Sequence, residues 1–130
     1  MIVAYFDKDM RGEFMKSQIE QILMQSINLS AHMLEKDKNR IFEIIPELKA
    51  EDGFNQKSSW HIYDVWKHTV VALSNSNPDL EERIALLLHD IGKPYSYQEE
   101  NNNRHFKGHA KKTAEMTKKI LVRLGYNDEK

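Results

Sequence analysis

The chain has 130 residues, 40% of them apolar, which is enough for one hydrophobic core and too few for a second of similar size. Its 19 basic and 20 acidic side chains leave a formal charge of -1, which excludes the global basic footprint of a dedicated nucleic-acid binder and makes any phosphate recognition local. No cysteine is present, so disulfides and thiolate metal sites are excluded, and a metal would have to be held by His, Asp and Glu.

Met1 to Phe6 is apolar but short and runs at once into Asp7, Lys8, Asp9 and Arg11, unlike a signal peptide. No apolar run approaches the roughly 20 residues needed to span a bilayer. The expected setting is therefore the cytoplasm, without membrane contact. Five glycines and three prolines punctuate long segments with apolar residues at helical spacing, so the fold class is all-α, in one domain.

Met15, Ile19, Ile22 and Leu23 mark a first helix. Ser30, followed by Met33, Leu34, Ile41, Phe42 and Ile45, predicts one or two more before Pro46. Residues 1–39 form this N-terminal helical segment and residues 40–126 the core of the domain. Ala50 to Trp60, with Asp52, Gly53, Asn55 and two serines, reads as a loop. Ile62, Val65, Trp66, Thr69, Val70 and Leu73 then restart a helical stripe, on a helix that carries His61 and His68.

Asn77-Pro78-Asp79 is the clearest helix start: Asn77 can cap, Pro78 suits the first helical position, and Asp79, Glu81 and Glu82 favour the positive end of the dipole. The run Ile84 to Leu88 is apolar on all sides, which predicts a helix packed in the middle of the domain. It ends in His89-Asp90-Ile91-Gly92. The polar segment Ser96 to Arg104 reads as a loop, and a last helix runs from about Phe106 to Leu124.

A carboxylate at the end of a buried helix loses several kcal/mol of solvation unless a cation or hydrogen bonds replace it. Asp90 therefore needs a partner, either nearby backbone and a Lys or Arg, or a divalent cation shared with His89. His68 is the third candidate ligand, because its helix must pack on the central one; read alone, it and His61 are ordinary core or surface histidines. Asp64, one turn before His68, either orients that imidazole or stands as a solvated acid.

His105 and His109 are four residues apart, on one face if both are helical, which is metal-ligand spacing without the adjacent Glu of zinc proteases. Lys93, in a Gly-Lys-Pro turn beside the His-Asp pair, is the best candidate to hold phosphate oxygens. Arg104 and Lys107 can assist, while Lys111 and Lys112 read as a solvated face.

These residues resemble the HD superfamily of metal-dependent phosphohydrolases, on His68 and on Leu86-Leu87-Leu88-His89-Asp90-Ile91-Gly92-Lys93-Pro94. A closer resemblance is to the HD-containing region of bacterial tRNA nucleotidyltransferases and poly(A) polymerases. It rests on Ile45-Pro46-Glu47-Leu48, on His61-Ile62-Tyr63-Asp64-Val65-Trp66-Lys67-His68-Thr69 and on His105-Phe106-Lys107-Gly108-His109, within residues 40–126. The resemblance implies an HD-domain helical bundle in which His68, His89 and Asp90 bind a divalent metal ion (Mn, Fe, Co, Ni, Zn or Mg), with His105 and His109 as ligands of a second. By the same analogy the metal polarises a phosphoryl oxygen and supplies the hydroxide that attacks phosphorus. Asp90 and Lys93 would be catalytic, and His61, Asp64 and Arg104 would support the ligands or contact substrate.

Two features depart from the family pattern. The family completes its metal site with an aspartate from a further helix, whereas this sequence ends at Tyr126-Asn127-Asp128-Glu129-Lys130. The last ligand is then expected from water, a partner or a longer chain, or the metal binds weakly. Nothing upstream resembles the glycine-rich turn and paired aspartates of a nucleotidyltransferase domain, so CCA addition is not expected. The expected function is hydrolysis of a nucleotide, cyclic phosphate or other small phosphoester. The alternatives are a non-catalytic HD module that binds nucleotide or RNA ends or supports a partner, RNA being disfavoured by the charge, and a helical interaction domain with incidental histidines. Oligomeric state is open; an apolar strip including Ile120 and Leu121 is a candidate contact with another chain.

Overall fold

The computed structural model describes residues 8–54, 64–96, 98–100, 103–105 and 108–126, with side chains described for all of these except 8–10, 98–100 and 103–105. The helices in chain order are α1 (Lys8–Leu23), α2 (Ala31–Lys36), α3 (Lys38–Ile44), α4 (Val65–Ser74), α5 (Leu80–Leu88) and α6 (His109–Arg123). Two 3-10 turns, Pro46–Glu51 and Lys93–Tyr95, join them.

Local chemistry sets these boundaries. The Ser30 hydroxyl accepts from the Met33 amide at 3.1 Å and starts α2, as the sequence predicts. The start of α5 differs: its cap is Asp79, whose carboxylate accepts from the Glu81 and Glu82 amides, while the Asn77 amide donates to the Glu82 side chain at 2.7 Å. Asp79 reaches two otherwise unpaired amides, which Asn77 two residues upstream does not.

Leu34, Ile41, Phe42, Ile44, Ile45, Leu48, Val65, Trp66, Val70 and Leu73 are buried, and with Ile19 and Leu23 of α1 they belong to the core. The Phe42 and Trp66 rings meet edge to face at 4.9 Å, a contact that adds about 0.5–1.5 kcal/mol beyond its area. Arg83 is fully buried on α5 and donates to the carbonyls of Leu23, Ser26 and Ile27 and to the Ser76 hydroxyl. It stitches the turn after α1 to α5, a structural role that its place in a charged helix start does not advertise.

Three expectations are corrected. The all-round apolar run of α5 is not enclosed: Leu87 and Leu88 are buried, but Ala85 is exposed, and Ile84, Ala85 and Leu88 line an open cleft. The polar segment read as a loop contains an antiparallel pair, β1 (Gln98–Glu100) and β2 (Asn103–His105), with Glu99 opposite Arg104. The last helix starts at His109, later than Phe106, because Gly108 adopts a left-handed backbone (φ 82°) as its cap. The body is nonetheless all-α. Among the described residues no helix is long and apolar enough to cross a membrane.

Candidate metal centre

Asp64 ends the segment before α4 as its cap: its carboxylate accepts from the Lys67 amide at 2.7 Å and from the Gly53 amide at 2.9 Å. Its oxygens thus hold the two backbone amides, in a half-exposed position. The cap aims α4 across α5, and the two helices pack against each other. His68 lies one turn into α4 with its side chain 42% exposed, at the rim of the place where α5 ends.

His89 is the residue that closes α5, and its Nδ1 lies 2.5 Å from the Leu86 carbonyl. A carbonyl only accepts, so Nδ1 carries a proton, and Nε2 is the nitrogen turned to the site. That Nε2 is 3.2 Å from Asp90 Oδ2, and His68 Nε2 is 3.8 Å from the same oxygen. The His68 and His89 rings stand 5.6 Å apart. One ligand atom from each of His68, His89 and Asp90 lies within 4.8 Å of the others, so small side-chain rotations bring them onto one ion with bonds of about 2.0–2.2 Å.

Asp90 is 6% exposed, and among the described residues its Oδ2 is buried without a hydrogen-bond partner. Lys93 Nζ forms an ion pair with it at 3.5 Å. Burial opposes ionisation of Asp90, but His89, Lys93 and His68 together outweigh it and hold the carboxyl below its usual range. The Asp90 carboxylate in turn raises the pKa of His89 against the effect of burial. An ionised carboxylate oxygen without a hydrogen-bond partner among the described residues, facing two imidazole nitrogens, is a donor set that fits a divalent cation. This answers the question of the Asp90 partner: among the described residues it is His89, Lys93 and His68 that face its buried oxygen.

The turn that follows is locked to α6. The Gly92 amide donates to the Thr113 hydroxyl at 2.9 Å, and the Lys93 side chain is nearly buried beside Asp90. His109, at the start of α6, lines the α5/α6 cleft together with His89. The cleft has a volume of about 1240 Å³ and is walled chiefly by Leu80, Ile84, Leu88, Ala114 and Leu121. His105 ends β2 and His109 begins α6, so the two do not share a helix face as their spacing suggested. The side chains of His105 and Arg104 lie outside the described residues, as do His61 and Lys107. Lys111 is exposed, in line with a solvated face.

Glu51 belongs to this neighbourhood as well, although its sequence context predicts a loop. It is fully buried at the end of the first 3-10 turn; its Oε1 accepts from the Thr69 hydroxyl at 3.2 Å, and its Oε2 has no hydrogen-bond partner among the described residues. Burial, assisted by Asp90 and Asp64, pushes its pKa up to about 9. The available signal was its spacing of three from Leu48, which in a 3-10 turn puts both on the same side.

The fold and this centre define a class. The HD domain family model matches residues 60–130, more than half of the chain, and the chain belongs to that family. Its similarity to curated proteins runs to tRNA nucleotidyltransferases. It is 39% identical over 87 residues to an A-adding tRNA nucleotidyltransferase of Deinococcus radiodurans, covering 62% of this chain and 20% of that one. It is 34% identical over 85 residues to a multifunctional CCA protein of Shewanella denitrificans, with 62% and 20% covered. Against a CC-adding tRNA nucleotidyltransferase of Thermus thermophilus the identity is 33% over 92 residues, with 65% and 21% covered. The chain thus spans about a fifth of the length of these relatives. No solved structure matches it.

Proposed function

We propose that the domain is a metal-dependent phosphohydrolase acting on a nucleotide, a cyclic phosphate or another small phosphoester. The observation that carries this reading is the convergence of His68, His89 and the buried Asp90 carboxylate on one point in a chain of the HD family. His68, His89 and Asp90 hold the ion, which when bound supplies Lewis acidity toward a phosphoryl oxygen. The Leu86 carbonyl holds His89 with Nε2 turned to the site. Lys93 places an ammonium beside the ligands, where it holds a phosphate oxygen. In the same reading His105 and His109 serve a second ion, and His61 and Arg104 contact substrate.

The test is turnover by the manganese-loaded protein of bis(p-nitrophenyl) phosphate, p-nitrophenyl phosphate, 2′,3′-cyclic nucleotides and a nucleotide panel. Metal-dependent hydrolysis that disappears in Asp90→Ala is expected. A loaded wild-type protein that turns over none of them overturns the reading. That result favours a non-catalytic module for nucleotide or RNA ends, a second reading supported by the similarity to the tRNA nucleotidyltransferases of Deinococcus radiodurans and Thermus thermophilus.

A further inference from the structure

The three ligands are not held in the same way. His68 stands on α4 and His89 closes α5, and those two helices pack against each other, so the helix pair itself places the imidazoles. Asp90 lies one residue beyond, in the segment that joins α5 to the turn Lys93–Tyr95. The amides of Ile91, Lys93 and Tyr95 donate to the carbonyls three residues before them, at 3.2, 3.1 and 3.1 Å. Bonds of this span have poorer geometry than those of an α-helix and fix the chain less firmly. The place of the Asp90 carboxylate therefore depends on what grips this segment from outside.

α6 supplies the grip. The Gly92 amide, two residues after Asp90 and directly before Lys93, donates to the Thr113 hydroxyl at 2.9 Å. Because Gly92 has no side chain, the backbone of α6 comes close to it at His109 and Thr113. Thr113 is half-buried, and its β-branched side chain has few rotamers, so the hydroxyl is a fixed acceptor. α6 is anchored in turn at its other end. Arg123 donates to both carboxylate oxygens of Glu47, at 2.6 and 2.9 Å, and the Glu47 carbonyl accepts from the Tyr95 hydroxyl at 3.0 Å. The Asp90 segment, α6 and the turn Pro46–Glu51 are thus tied to one another, and Thr113 makes the tie nearest to the ligands.

We propose that Thr113 is a positioning residue of the metal centre: through the Gly92 amide its hydroxyl sets the place of the Asp90 carboxylate relative to His68 and His89, without Thr113 being a ligand. The inference rests on the metal reading above. Asp90 Oδ2 is 3.2 Å from His89 Nε2 and 3.8 Å from His68 Nε2, and a metal site tolerates ligand distances only within about 0.2 Å of their usual values. Removal of the Thr113 acceptor leaves the Gly92 amide to find water or another carbonyl, and either choice shifts the segment that carries Asp90. α6 gives none of the three grouped ligands, yet it decides whether they converge.

The test is manganese affinity by titration calorimetry for wild type, Thr113→Val, Thr113→Ser and Thr117→Val, under conditions where circular dichroism shows each metal-free protein folded. Thr117 lies one turn further along α6 on the same cleft and serves as the control. Thr113→Val is expected to weaken manganese binding about tenfold, the scale of residues that support ligands from outside the coordination shell. Thr113→Ser keeps the hydroxyl and should recover most of that loss, while Thr117→Val should stay within about twofold of wild type. Thr113→Ser as weak as Thr113→Val, or Thr117→Val as weak as either, overturns the proposal, because the loss would then not follow the bond to Gly92. Should Thr113→Val fail to fold, Thr113→Ala replaces it with the same expected outcomes. Wild type that binds no manganese overturns the metal reading and this inference with it, whereas wild-type binding that Thr113→Val leaves unchanged overturns this inference alone.

Discussion

The Gly92 amide donates to the Thr113 hydroxyl at 2.9 Å, and this bond ties α6 to the turn that carries Asp90 and Lys93. The approach is close because Gly92 has no side chain. A Cβ there would lie 2.5 Å from the Thr113 amide nitrogen, 2.6 Å from its hydroxyl and 2.8 Å from the His109 carbonyl, and two of these are backbone atoms that cannot swing away. Gly92→Ala is therefore expected to push α6 off the turn, destabilise the fold by about 1–3 kcal/mol as overpacking does, and weaken metal binding. Urea denaturation together with a manganese titration checks both effects. An unchanged denaturation midpoint would contradict the packing described.

Asp64 is expected to matter for stability and little for metal. Asp64→Ala removes the cap of α4 and the acceptor for the Gly53 amide, for a loss of about 1–2 kcal/mol. Manganese affinity should change less than that of a ligand variant. An affinity loss as large as that of His68→Ala would support the idea that Asp64 orients His68 directly.

Arg83 lies at the other end of α5 from the metal site. Arg83→Leu leaves the Leu23, Ser26 and Ile27 carbonyls without their donor, and a cost of about 3 kcal/mol or more is expected. The shift in urea midpoint measures it, and a change under about 1 kcal/mol would show that water or other donors replace the guanidinium.

The metal-free protein should lose stability as the pH rises. Glu51 has an ordinary pKa of 4.5 and is pushed up to about 9 in the fold, chiefly by burial. Between those values the folded form keeps a proton that the unfolded form has released. The stabilisation is fully present below pH 4.5 and is lost on the way to about 9, at no more than about 1.4 kcal/mol per pH unit. Denaturation at pH 5.5 and 8 without metal is the check, with Glu51→Leu expected to flatten the difference.

Much of this architecture is legible from residue spacing. The buried stripe Val65, Trp66, Thr69, Val70 and Leu73 is a helical pattern in sequence and a core face in the fold, and the cap at Ser30 stands where it is read. The likeness to the HD superfamily is legible for the same reason, since His68 and His89-Asp90 stand in segments of distinctive order. Other features depend on contacts distant in sequence. The local pattern of α5 is apolar all round, yet one flank is open because α6 packs on the turn at Lys93–Tyr95 and leaves a cleft beside α5. Glu51 looks like a loop acid until Thr69, 18 residues on, is placed against it. The His105 and His109 pair has helical spacing, but Gly108 turns the chain between strand and helix.

The most direct test of the central claim is the manganese stoichiometry and affinity of the purified chain beside Asp90→Asn, which preserves volume and removes the charge. The account predicts saturable binding by wild type, and a loss of affinity of about 100-fold or more in Asp90→Asn, since a ligand should matter at least as much as its supports. Wild-type binding that Asp90→Asn leaves intact, or no wild-type binding at all, would contradict a metal centre built on His68, His89 and Asp90.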